Sequence, residues 1–256
     1  MTYDTIRTNV ADGVAVLTLD RPDVRNAIDQ QVQADVRAAL ATLRDDPEVG
    51  AVVFTGAGDR AFAAGADITQ LRDYTLHTGL AAEMQRLYDE VEEFEKPTIA
   101  AVDGYALGGG CELSLACDIR IASPTAKFGL PETMLSVLPG AGGTQRMGRL
   151  IGMGRAIELI LTGRLVDAAE AHAIGLVTAV TDDPVAAARE TAQNILRRGP
   201  LAVQLAKLVI RTGMDADQRT GLVVERLAQA LLYTTDDKRE GAQAFLAKRP
   251  AAFTGS

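Results

Sequence analysis

Four short apolar runs, Val14–Leu19, Ala51–Thr55, Thr98–Val102 and Ile119–Ala122, alternate with stretches of helical character. Ala51-Val52-Val53-Phe54-Thr55 shows no polar alternation, as expected of a strand covered on both faces. After the Asp20-Arg21-Pro22-Asp23 break, Ile28, Val32, Val36, Leu40 and Leu43 fall at helical spacing. They predict a helix from Ala27 to about Arg44 with Asn26 at its N-cap. A second helical stretch covers roughly 70–95, and a third runs from Cys111 to about Cys117. Strands that alternate with helices in this way imply an α/β fold with much parallel pairing. No sequence repeat occurs at a fixed period.

Pro139-Gly140-Ala141-Gly142-Gly143-Thr144 is a glycine-rich turn before another helix. Asp167-Ala168-Ala169-Glu170 has the form of a capping box, and Gly175–Val180 reads as a last short strand. Beyond Asp183 the character changes. The segments 184–198, 200–211, 217–233 and 236–248 all read as helices. The expected organisation is therefore an α/β body, residues 1–183, and a helical subdomain, residues 184–256. The apolar faces of that subdomain could pack on the body or on another subunit.

The chain's 256 residues can bury a large core in one domain with an appendage. Its net charge of -8 makes it a poor partner for nucleic acid or an anionic membrane surface. An anionic small ligand would need local Arg or Lys. The two cysteines, Cys111 and Cys117, match neither a CxxC pair nor a zinc framework, and His77 and His172 stand apart, so no metal is expected. The opening Met1-Thr2-Tyr3-Asp4 has neither the basic nor the apolar region of a secretory leader, and no apolar run is long enough to span a bilayer. The expected compartment is the cytoplasm.

The stretch richest in chemical possibility is Gly104-Tyr105-Ala106-Leu107-Gly108-Gly109-Gly110-Cys111-Glu112. Glycines let a ligand reach the backbone, and a helix start offers unpaired N–H groups and a positive dipole end. The same residues also suit a tight strand-to-helix turn with Glu112 favouring the dipole. Neither GxxxxGK[ST], GxGxxG nor GxSxG is present, which leaves P-loop, dinucleotide and serine-nucleophile readings without support. What remains is a backbone-donor site with carboxylates. Glu132 lies in an otherwise mostly apolar segment, and with Glu112 it forms a candidate acid–base pair. Ala64-Gly65-Ala66-Asp67 is a small-residue turn. If the N–H groups of Ala66 and Gly109 converge, they form a two-donor oxyanion hole.

These residues resemble the enoyl-CoA hydratase (crotonase) family almost from end to end. The match runs through Arg21-Pro22 to Asn26-Ala27, Ala61–Ile68, Ala106–Leu113, Phe128–Glu132, Leu138–Gln145 and the closing 241–253 segment. The resemblance implies a spiral of ββα units with a helical C-terminal trimerisation region, assembled as a homotrimer or a dimer of trimers. It implies an acyl-CoA thioester as substrate, with coenzyme A part of that substrate rather than a cofactor. Ala66 and Gly109 would be the oxyanion donors, and Glu112 and Glu132 the catalytic carboxylates. CoA contacts are implied at Arg25, Arg60, Ala64, Asp67, Ile68, Gly140 and Lys248, the last placed in the final helix and facing a neighbouring subunit. Thr69 departs from the pattern, since many relatives carry Lys there. Having both glutamates favours hydration of a trans-2-enoyl-CoA. The alternative is an enoyl-CoA isomerase or another acyl-CoA lyase of the family. Residues 71–84, with Tyr74 and Leu76, together with Met134 and Leu138, are candidates for the acyl pocket.

Overall fold

The structure is a computed structural model and describes residues 3–67 and 72–256. Ile6–Ala11 (β1) and Val14–Leu19 (β2) form an antiparallel hairpin. Its two-residue turn, Asp12-Gly13, has positive φ at both positions, the conformation that matches strand twist. β2 then continues into a parallel array with Ala51–Gly56 (β3), Thr98–Val102 (β5), Ile119–Ala122 (β7) and Ala179–Val180 (β10). A second, smaller sheet holds Ala61–Ala63 (β4), Tyr105–Leu107 (β6), Lys127–Gly129 (β8) and Val166–Asp167 (β9).

The order of strands contains the repeat that no residue pattern betrays. β3 enters the large sheet and β4 the small one. β5 and β6 repeat this step, and so do β7 and β8. Each turn of the chain thus adds one strand to each sheet, which is the expected ββα spiral. The small sheet brings the ends of β4, β6 and β8 side by side, so the residues that follow each strand become neighbours.

The core lies mainly between the large sheet and the helices packed on one of its faces. Phe54, Phe62, Tyr88, Phe94 and Phe128 are its largest fully buried side chains. On the opposite face, the helix Pro184–Leu196 lays Ala188 and Ala192 against Val14, Val16, Val53 and Ile99. The expected boundary after residue 183 therefore falls between segments that share one apolar cluster. The next two helices lack such burial. Pro200–Asp215 and Gln218–Leu232 contain no buried residue, and Leu208, Ile210, Met214, Leu227 and Leu231 are each more than half exposed. No helix among the described residues is long and apolar enough to cross a membrane.

Three local expectations change. Asn26 is not a helix cap. The helix runs Gln30–Asp45, and Asp29 caps it by accepting from the Val32 N–H. Asn26 is instead buried, with φ +56. Its amide donates to the Ala57 and Ala61 carbonyls at 3.0 and 2.7 Å and accepts from the Arg21 N–H at 3.0 Å. It thereby ties the turn before the first helix to the entrance of β4. Among the described residues, the 70–95 stretch holds two helices, Leu76–Ala81 and Glu83–Glu92, broken at left-handed Ala82. The Asp167 cap forms, but Glu170 pairs with Arg164 instead of closing the box.

Asn26→Ala should cost at least about 2 kcal/mol in urea unfolding. It orphans buried backbone groups whose burial without partners costs about 1–3 kcal/mol each. A variant as stable as the parent would remove Asn26 from this role.

Candidate active site

The helix Gly109–Ala116 follows β6 and is buried along its whole length. Of the three glycines at its start, Gly108 and Gly110 are held to glycine by their neighbours. A Cβ on Gly110 would lie 2.1 Å from the Ala63 carbonyl oxygen, so only glycine lets the helix start pack on β4. A Cβ on Gly108, where φ is +50, would lie 3.0 Å from Glu132 Oε1. One on Gly109 would lie 3.4 Å from the Ala66 nitrogen.

The Ala66 and Gly109 N–H groups are thus brought together. Ile28 N–H donates to the Gly65 carbonyl at 2.8 Å, and the Ile28 carbonyl accepts from the Asp67 N–H at 3.3 Å. This bridge uses the groups on either side of Ala66 and turns Ala66's own N–H to the opposite side. Gly65, at φ +99, has its Cα hydrogen facing the Leu107 carbonyl and the Gly109 nitrogen. Among the described residues, neither the Ala66 nor the Gly109 N–H donates to a backbone carbonyl. Tyr88, fully buried, donates to the Gly109 carbonyl at 2.8 Å and anchors the start of the helix.

Two carboxyls stand beside these donors. Glu112 is 2% exposed, and its Oε1 accepts from the Ala141 and Gly143 N–H groups, both at 2.8 Å. Burial raises its pKa, opposed by those two N–H groups and by the Arg146 charge. Because Oε1 is held by two donors, Oε2 is the oxygen left to act. Glu132 sits in the short 3-10 helix Pro131–Leu135 that follows β8. Burial, followed by the charge of Glu112, pushes it up to about 7. Its Oε2 is buried and has no hydrogen-bond partner. A buried carboxyl oxygen without a partner is costly, which makes Glu132 a candidate for proton transfer.

The enoyl-CoA hydratase/isomerase family model matches residues 9–256. A probable enoyl-CoA hydratase of Mycobacterium bovis is 44% identical, covering 99% of both chains. The chain belongs to the enoyl-CoA hydratase/isomerase family. The crotonyl-CoA hydratase of Syntrophomonas wolfei is 40% identical over 99% of both chains. The crystal structure of an enoyl-CoA hydratase from Bacillus anthracis superposes with a TM-score of 0.95 at 40% identity, over 99% of this chain and 100% of that one.

Against this family pattern the remaining expected contacts fall into three groups. Ala64 and Asp67 lie on either side of the Gly65-Ala66 pair, and the Ala64 N–H is held by the Arg25 carbonyl at 3.0 Å. Gly140 precedes the turn that grips Glu112. Arg25, Arg60 and Lys248 are exposed, and among the described residues none of them is in an ion pair. Lys248 lies just past the last helix, which ends at Leu246, at φ +52 rather than within it. Ile68 and Thr69 lie outside the described residues, as does Leu71 of the expected acyl-pocket stretch. Tyr74, Leu76, Met134 and Leu138 are all exposed apolar side chains.

Sequence reasoning missed Tyr88, Arg146 and the Ala141 and Gly143 N–H groups. Tyr88 occupies the apolar face of its helix and reads as core. The Ala141 and Gly143 donors lie in the second glycine-rich turn, whose position before a helix was the available signal. Arg146 has no local signal, because its partners are set only by tertiary packing.

Proposed function

We propose that the protein is an enoyl-CoA hydratase that adds water across the trans-2 double bond of an enoyl-CoA to give a 3-hydroxyacyl-CoA. The observation that carries this reading is the pairing of two uncommitted backbone N–H groups with two carboxyls, Glu112 buried and Glu132 half-buried with its Oε2 enclosed and its pKa raised to about 7. The thioester oxygen is received by the Ala66 and Gly109 N–H groups. As water adds at C3, charge builds on that oxygen as an enolate, and the donors stabilise it more than the ground state. Glu112, through Oε2, takes the proton from the water. Glu132 delivers a proton to C2.

The two carboxyls are suited to different protonation states because burial and the charge of Glu112 raise Glu132, and the titration belongs to the pair. Glu112 faces two N–H groups that favour its carboxylate. Glu132 has a partnerless oxygen and favours its acid. This division suits water activation by the first and proton delivery by the second.

The CoA phosphates would be met by Arg25, Arg60 and Lys248, whose uncommitted charges offset an acidic chain locally. Tyr74, Leu76, Met134 and Leu138 would line the acyl pocket. The apolar surfaces of the last helices would be covered in a homotrimer or a dimer of trimers.

Purified protein should remove the absorbance of the conjugated thioester of a short-chain 2-enoyl-CoA, with 3-hydroxyacyl-CoA as product. No loss of that signal across several chain lengths would overturn the reading, and double-bond migration without hydroxylated product would replace it by isomerisation.

A further inference from the structure

Arg146 is nearly buried, with its side chain 9% exposed, yet it lies behind the site rather than in it. Its guanidinium makes three kinds of bond at once. Nη1 donates to the Ala141 carbonyl at 2.9 Å, Nε to Glu92 at 2.7 Å and Nη2 to Asp89 at 2.6 Å. The Ala141 residue whose carbonyl it holds also donates its N–H to Glu112. Gly142, between the two Glu112 donors, has φ +100, and a Cβ there would fall 2.0 Å from Arg146 Nη1. Glycine is therefore needed for the guanidinium to lie against the turn. The chain of charges continues away from the site. Glu92 also pairs with Arg211 of the helix Pro200–Asp215, and Arg211 and Lys207 both reach Asp118.

We propose that Arg146 is a positioning residue for Glu112: it locks the turn 141–143 whose two N–H groups grip Oε1, and it takes its own place from Glu92, which the helix Pro200–Asp215 shares through Arg211. The inference rests on the reading of Glu112 as a proton-transfer group. A planar fork is suited to this task, since it satisfies a carbonyl and two carboxylates in fixed directions. A lysine ammonium has the charge without the fork.

The titratable groups facing Glu112 among the described residues are Glu132, Tyr88, Cys111 and Arg146. Only Arg146 is cationic. Losing it removes the one positive charge and loosens both N–H bonds, so the Glu112 titration midpoint should rise.

The test follows the carboxyl 13C signals of glutamate-labelled protein against pH, with Glu112 assigned by Glu112→Gln, beside steady-state kinetics on a short-chain enoyl-CoA. Arg146→Gln should raise the Glu112 midpoint and lower kcat about 10²-fold with KM changed little, the scale expected when a reacting group is misplaced by about 1 Å. Arg146→Lys keeps the charge without the fork, so it should recover part of the midpoint shift but little of kcat. In the Glu112→Gln background, Arg146→Gln should have little further effect on kcat, because the two residues act through one another. An unmoved midpoint with normal kcat, or additive losses in the double variant, would overturn the proposal. Should Arg146→Gln fail to fold, Arg211→Gln keeps Arg146 and removes the pairing of Arg211 with Glu92, together with its bonds to Asp118 and the Ala116 carbonyl. A smaller rise in the same midpoint is then expected, and no rise overturns the proposal. The two readings fail separately. A parent protein without hydration removes the assigned reaction, while a Glu112 midpoint that moves with Arg146 still supports the positioning.

Discussion

Glu132→Gln is expected to lower kcat by about 10²–10⁴-fold, the usual contribution of a positioned proton donor or acceptor, with KM for a short-chain enoyl-CoA changed far less. Glu112→Gln should fall in the same range. Gln is nearly isosteric with Glu and fills the same space, so neither loss should come from the fold. Near-normal turnover in either variant would remove that glutamate from the chemistry.

Glu132→Gln carries a second signature. The carboxyl rises from an ordinary value of 4.5 to about 7 on folding, so the unfolded chain gives up this proton first. A raised pKa in the folded state means that Glu132 costs the native state nothing below about 4.5, and progressively more as pH rises toward 7. The Gln variant escapes that cost. Relative to the parent it should be more stable at pH 8 than at pH 4, with the change concentrated between those two pKa values, as read by urea unfolding across pH. The residue that accelerates the reaction is then the residue that destabilises the resting enzyme. A stability difference independent of pH would contradict the raised pKa. The same direction predicts that kcat/KM declines as pH passes upward through about 7, because the acid form is the one that delivers the proton.

What could be read from the chain before its structure follows from the length of each element. β2, β3, β5 and β7 are four to six residues long and almost wholly apolar, so their composition declared them. β4, β6 and β8 have three residues each, too few to show a period, and they were absorbed into glycine-rich stretches. Those three strands build the site, because they align the ends from which Ala66, Gly109 and Glu132 project. The convergence of Ala66 with Gly109 was therefore available only through the family motif, and no local pattern showed it. Asn26 misled for a related reason. An amide residue just before a helical pattern reads as a cap, whereas its three bonds run to backbone groups of Arg21, Ala57 and Ala61, which only the folded chain assembles. The two glutamates were legible as unusual, since each sits in an apolar setting. The difference between them was not. It depends on which oxygen meets a backbone donor, and those donors come from a turn distant in the chain.

Gly109→Pro should lower kcat by about 10²–10³-fold, the cost of about 2.7–4 kcal/mol found when one oxyanion donor is removed. The substitution deletes the N–H and little else that the fold uses. Gly109 opens its helix, where proline is well tolerated and the N–H has no acceptor within the helix. Gly108 before it lies outside the helical region, at φ +50 and ψ -126. A side chain at this position does meet Met84 Sδ at 2.9 Å, but that atom is on a flexible thioether that can turn aside. Gly109→Ala provides the control, since it brings the same Cβ and keeps the donor. The ratio of kcat between the alanine and proline variants, with circular dichroism to verify that both fold, isolates the N–H from the crowding. Equal activity in the two would mean that charge on the thioester oxygen is stabilised elsewhere. A large ratio would place the transition-state oxygen between Ala66 and Gly109, because a donor that mattered only for binding substrate would change KM and leave kcat in place.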